Sequence, residues 1–257
     1  NKIRESINKL TPKGVNHTHL VFKEGVYLSD GCGLMGWQYD KNKIKRITIE
    51  GEEGKKAIIY SSQIITGWRK SEKYKHLWST YHPEKINQLY VGDNRATLCR
   101  LPKQWKRARP FGYESHEDPN NETYILRNIY VQKDCIQMLE KMTPEELQVS
   151  EIVVHYWWFT DIMKIVSINS EKNYVVARIE KSKERGQKIS PTSYYFIQNA
   201  FSAITEPGEY YQHPDGTLYY YPRPNEDMTK INVYKPFKNT FMSLHFNDVP
   251  NLTIKNL

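Results

Sequence analysis

Two kinds of chemistry are within reach of the side chains in this sequence: aromatic rings that cover a flat apolar surface, and carboxylates that move protons. The densest aromatic block is His155-Tyr156-Trp157-Trp158-Phe159. Read as a strand, its two-residue period sends His155, Trp157 and Phe159 to one face and Tyr156 and Trp158 to the other. One tryptophan then belongs to the core, and the other faces a groove, where its ring can cover the C–H face of a pyranose. His155 can donate to a sugar hydroxyl or act as a satisfied structural residue. Trp157, Trp158 and His155 are therefore the candidate substrate-binding residues.

Two acids stand out. Glu209 opens a strand in Pro207-Gly208-Glu209-Tyr210-Tyr211 and reads chiefly as an acceptor for backbone donors of its own hairpin. Asp248, in Asn247-Asp248-Val249-Pro250, reads as a turn residue. Hydrolysis of a glycosidic bond needs two carboxylates, about 5–5.5 Å apart for retention or about 6.5–9.5 Å for inversion. No such pair is legible, so the catalytic residues stay unassigned. His17 and His19 form His-x-His, which on a strand puts both rings on one face. Further metal ligands cannot be placed, and the two read as half-exposed strand residues. Cys32, Cys99 and Cys135 are too few and too scattered for a disulfide scaffold or a zinc site. No dinucleotide loop, P-loop, zinc helix or nucleophile elbow appears. No metal and no cofactor is expected.

The elements that must position these residues are mostly strands. His19 to Leu28 reads as two strand pieces hinged at Gly25, Ile47–Gly51 alternates with period 2, and Ala57–Tyr60 is a wholly apolar strand. Leu89–Ala96 reads as a hairpin about a Gly-Asp-Asn turn, and residues 103–122 as a loop. Helices are expected over 2–10 and within 132–148, the second group broken by Thr143-Pro144, a helix cap followed by a first-turn proline. Strands resume at Glu151–Tyr156, Met163–Ile168 and Tyr174–Ile179. Gly208 to Pro222 is a hairpin with Asp215-Gly216 at its tip. The tail from Met242 is strand, turn, strand.

The chain has 257 residues, 39% hydrophobic, 26% charged and 13% aromatic, which excludes wholesale disorder. No run reaches the roughly 20 apolar residues of a membrane span. The opening NKIRESINKL lacks the apolar centre of a signal peptide, so it reads as a cytoplasmic start or as a mature chain whose leader was removed. The net charge of +8 is uneven: residues 1–110 carry +12 and residues 111–257 carry −4. Of the 37 basic residues 26 are Lys and 11 Arg. Phosphate readers favour Arg for its planar fork, so a nucleic-acid partner is not expected. The cluster 41–46 and the run Lys103–Arg109 read as solvated faces, with an acidic glycan as their second reading.

Four segments taken in order resemble the N-terminal part of bacterial right-handed parallel β-helix glycoside hydrolases and related polysaccharide-degrading proteins. Leu20–Leu28 is similar to their opening strand, and Ile58–Trp68 to the turn that leads into an Ile-Thr-Gly-Trp end. Phe201–Pro222 resembles their Pro-Gly-Glu-Trp-Tyr hairpin, and Val249–Leu257 the first rung of the helix. Ser62-Gln63 departs from the family's two glycines, and Tyr210 stands where Trp is usual.

The resemblance implies a mainly β fold: the N-terminal cap and first rung of a right-handed parallel β-helix, with an inserted β-rich domain of barrel or sandwich type. The cap takes residues 1–69, the inserted domain 70–235 and the start of the β-helix 236–257. It also implies a periplasmic or extracellular glycoside hydrolase, acting on an oligo- or polysaccharide of plant or algal type, with the catalytic rungs beyond Leu257. The open last strand could then pair with a second copy. A non-catalytic glycan-binding or structural module is the alternative.

Overall fold

The computed structural model describes residues 17–28, 46–103, 112–156, 158–183, 193–237 and 251–257. The helix expected over 2–10 lies outside the described residues, as do Cys32, Trp157 and Asp248. The chain is mainly β, and it divides into two compact units. One takes the chain up to Ile64 and again from Tyr234; the other is Ile65–Val233.

The first unit is built from parallel strands. His17–Phe22 pairs in parallel with Arg46–Gly51, which pairs in parallel on its other side with Leu252–Lys255. Alternation turns Ile47 and Ile49 inward, where they pack with Phe22 and Ala57. The chain breaks at Lys23-Glu24, and Gly25–Leu28 then pairs in parallel with Ala57–Tyr60. Leu252–Lys255 is the third strand of a set begun near the N-terminus, a long-range pairing that no local pattern encodes. One position admits it: a Cβ on Gly51 would stand 1.9 Å from the backbone oxygen of Asn256.

The second unit is antiparallel for the most part. Its larger sheet has seven strands in the order Arg100–Leu101, Tyr194–Gln198, Glu151–His155, Thr160–Asn169, Tyr174–Glu180, Tyr124–Tyr130 and Tyr113–Glu117. Its two end strands stay unpaired with each other, so the sheet is open and does not close as a barrel. Along Thr160–Asn169 buried Asp161, Met163 and Ile165 alternate with exposed Thr160, Ile162 and Lys164. The inner face packs with the helix Lys133–Leu139 through Cys135, Ile136, Met138 and Leu139. The next helix, Pro144–Val149, starts as its sequence requires. The Thr143 side chain accepts from Glu146 N–H while the Glu146 carboxylate accepts from Thr143 N–H.

Tyr113–Glu117 corrects the loop expected over 103–122. It is an edge strand exposed along most of its length, so it carries no hydrophobic alternation to read. Tyr124–Tyr130 and Tyr194–Gln198 were not expected at all. The smaller sheet of this unit sets Thr97–Leu98 beside the hairpin Glu209–Gln212/Thr217–Tyr220, followed by Trp78–Tyr81 and Arg69–Lys70. Its hairpin turns at Asp215-Gly216, with Gly216 at φ +91°. Tyr210, Leu218 and Tyr220 from the hairpin form a second core with Ile86 and Leu89. The hairpin Tyr90–Val91/Asn94–Arg95 turns on Gly92-Asp93.

Candidate functional site

The aromatic block is not a strand. Glu151–His155 ends at His155, Thr160 begins the next strand opposite it, and Tyr156 N–H donates to Phe159 O at 2.8 Å. Trp158 thus lies in the turn of a hairpin, and alternation between two faces does not apply to it. No Gly, Asn or Pro makes this turn. It is closed instead by the Tyr156 and Phe159 rings, which stack at 4.6 Å. Trp158 projects from the tip with 86% of its surface exposed.

The hairpin is rooted beneath its tip. Arg127, 1% exposed, donates to Asp161 at 3.2 Å and lies over the Tyr113 ring. Burial and the neighbouring Asp161 carboxylate hold the Tyr156 hydroxyl well above its ordinary pKa. A charge pair so deeply placed costs desolvation, and removing either partner strands the other. The Tyr156 hydroxyl is buried near this pair without a hydrogen-bond partner among the described residues, and its ring stacks on Phe159 in the turn.

On the opposite side of the sheet His155 faces Tyr194 and Thr160 in register. Its Nδ1 lies 2.8 Å from Thr160 Oγ1, and its ring leans on Phe196 at 5.5 Å. Arg100 covers Phe196, its guanidinium 5.1 Å from the ring centroid. Burial first, and Arg100 second, push the His155 pKa below its ordinary 6.5. The folded value lies below the unfolded one. The associated stability is therefore complete above about pH 6.5 and is lost as pH falls through the folded pKa. In urea titrations between pH 7.5 and 5, His155→Gln should lose less stability than the wild type. An equal loss in both proteins would show that His155 does not titrate in this way.

The acids of this unit that drew attention are occupied. Glu209, 4% exposed, accepts from Lys103 Nζ at 2.6 Å on both oxygens and from the N–H groups of Thr205 and Glu206 at 2.9 Å. Lys103, expected on a solvated face, also donates to Ala203 O and is mostly buried. Glu151 is bonded to Lys85 and Gln198. None of these carboxylates is free to serve as an acid or base.

In the first unit His17 and His19 do share a face, with rings stacked 5.8 Å apart. His17 lies against Thr48, and His19 against Glu50, which also pairs with Lys255. Among the described residues no group of three or more His, Cys, Asp or Glu side chains could hold a metal ion. Nor is any described helix long and apolar enough to cross a membrane.

No family model matches this chain, and no curated protein does. A solved structure described as a glycoside hydrolase superposes with a TM-score of 0.69 at 18% identity. It shares this chain's fold. The match takes in 98% of this chain and 44% of that protein, so the chain spans less than half of the neighbour's length.

Sequence reasoning missed the Arg127–Asp161 root. The available signal was a lone charge, Arg127, inside the largely apolar Tyr124-Ile125-Leu126-Arg127-Asn128-Ile129-Tyr130, a position that calls for a buried acid.

Proposed function

We propose that this chain is the N-terminal part of a carbohydrate-active enzyme, a glycoside hydrolase of plant- or algal-type polysaccharide built on a right-handed parallel β-helix. The observation that carries this reading is the parallel set His17–Phe22, Arg46–Gly51 and Leu252–Lys255. Among the described residues its last strand has an open edge, and Ile254, in register with buried Ile49, is 41% exposed. A further parallel rung stacked there would cover Ile254, and later rungs would carry the paired carboxylates that hydrolysis needs. The fold shared with part of a glycoside hydrolase supports the same reading. On this reading residues 1–69 cap the helix, 70–235 are the inserted domain and 236–257 begin the helix proper. The enzyme works in the periplasm or outside the cell. In the isolated chain the same edge is offered to a second copy.

The test has two parts. The reading frame past Leu257 should encode further rungs with paired acids, and that longer product should release reducing sugar in a polysaccharide screen where the 257-residue chain does not. A stop codon after Leu257 would overturn the proposal, as would turnover by the 257-residue chain that Glu209→Gln abolishes.

The second reading is a non-catalytic glycan-binding or structural module. The occupied state of Glu151, Asp161 and Glu209, in a unit that also exposes a tryptophan, favours it for this unit. Binding to a glycan array by the longer product, with no cleavage, would select it.

Both readings give Trp158 at the tip of the hairpin, and His155, the role of sugar contacts, with Trp157 a third candidate by residue type. Trp158→Ala should change stability by no more than about 0.5 kcal/mol, because the ring touches little of the protein. It should also weaken oligosaccharide binding measurably by calorimetry. Unfolding by this substitution, or unchanged affinity, would remove Trp158 from the site.

A further inference from the structure

One row of facing residues runs across the larger sheet, from Arg100 through Gln198, Glu151, Lys164 and Arg178 to Leu126. Residues in register on neighbouring strands share a face. Like charges set directly opposite each other destabilise a sheet, yet Lys164 and Arg178 are such a pair. Neither forms an ion pair among the described residues. The acid next in the row, Glu151, is already held by Lys85 and Gln198. Arg100 also lacks a carboxylate, and its Nε is buried with no hydrogen-bond partner.

Apolar and aromatic side chains share this face with the two cations, and the nearby acid Glu180, two residues from Arg178, is paired with Lys183. The Arg178 guanidinium lies 4.5 Å from the centroid of the Tyr124 ring. Ile162, two residues from Lys164 on the same face, is 58% exposed, and Val166 is also exposed. An unpaired lysine and an arginine fork beside exposed aliphatic and aromatic surface complement a ring with one apolar face and one carboxylate.

We propose that this face binds a glycan containing uronic-acid residues, with Lys164 and Arg178 receiving the carboxylate; the inference rests on the carbohydrate reading above. Arginine's planar fork matches the two oxygens of a carboxylate. A single two-cation seat suits charges spaced along a polysaccharide. The continuous charge of a nucleic acid calls for a longer basic track.

Calorimetry with the whole chain at low salt would use four probes. These are an oligogalacturonate, a neutral gluco-oligosaccharide of equal length, a sulfated galacto-oligosaccharide and a single-stranded DNA oligomer. The oligogalacturonate should bind at least about tenfold more tightly than each of the others and should weaken as salt is added. The double variant Lys164→Ala/Arg178→Ala should lose about that factor on the acidic ligand alone. Its melting midpoint should be unchanged or raised, since a repulsion is removed. Arg178→Lys, which keeps the charge and loses the fork, should fall between. Equal binding of acidic and neutral oligosaccharides would overturn the inference and leave the carbohydrate reading standing. Preference for the sulfated sugar or for DNA would also overturn it. Binding of no oligosaccharide would also overturn it, and the carbohydrate reading would then be decided by the screen of the longer product.

Discussion

Glu209→Ala should destabilise the protein by about 3–5 kcal/mol, the cost of removing one member of a buried charge pair. Three donors lose their acceptor at once: the Lys103 ammonium and the N–H groups of Thr205 and Glu206. Water cannot replace the carboxylate without opening the turn that leads into the hairpin. Glu209→Gln keeps an amide oxygen for the backbone donors and should cost less. Adding Lys103→Met to Glu209→Gln should recover part of the loss, because no charge is then left stranded. Urea denaturation of the four proteins measures each term. The result also separates structure from catalysis. A carboxylate kept for chemistry is commonly neutral or costly to stability, so its removal tends to leave the fold intact or firmer. A loss under about 1 kcal/mol for Glu209→Ala would contradict the structural role given to Glu209.

Gly51→Ala should release the last strand. The obstructing atom is the Asn256 backbone oxygen, 1.9 Å from where the Cβ would stand, and a backbone atom cannot swing aside as a flexible side chain can. Overpacking of this kind typically costs about 1–3 kcal/mol. The cost should be local. Amide exchange at Leu252–Lys255 should rise to that of unpaired backbone, while the hairpin Glu209–Tyr220 keeps its protection. Unchanged protection at Leu252–Lys255 would mean that the strand docks differently from the register in which Ile254 faces Ile49.

Local signals made several elements legible. Asp215-Gly216 announced its hairpin, and Thr143-Pro144 announced a helix start, because each residue type satisfies a backbone demand at its own position. Three things defeated the same reasoning. Tyr113–Glu117 lies at a sheet edge and has no buried face to mark it. Tyr124–Tyr130 hides its period because an inward position holds Arg127, which only the distant Asp161 makes tolerable. The aromatic block lacked turn residues, since ring stacking between Tyr156 and Phe159 does the work that glycine usually does. For the candidate site, His155 and Trp158 were proposed on residue type. The Lys164–Arg178 juxtaposition depends on strand order and register, which a single sequence does not display.

The division of the first unit also sets an order in time. Arg46–Gly51 leaves the ribosome early with His17–Phe22 available as a partner, but its other neighbour is Leu252–Lys255. At roughly 5–20 residues per second, about 10–40 s of synthesis separate the two. Through that interval the intervening Ile65–Val233 unit is made whole from continuous chain, while one edge of the earlier strand stands unclaimed. Newly made chains are therefore exposed to mispairing throughout that interval. Slowing translation after Gly51 should raise the yield of aggregated nascent protein more than slowing it after Lys255.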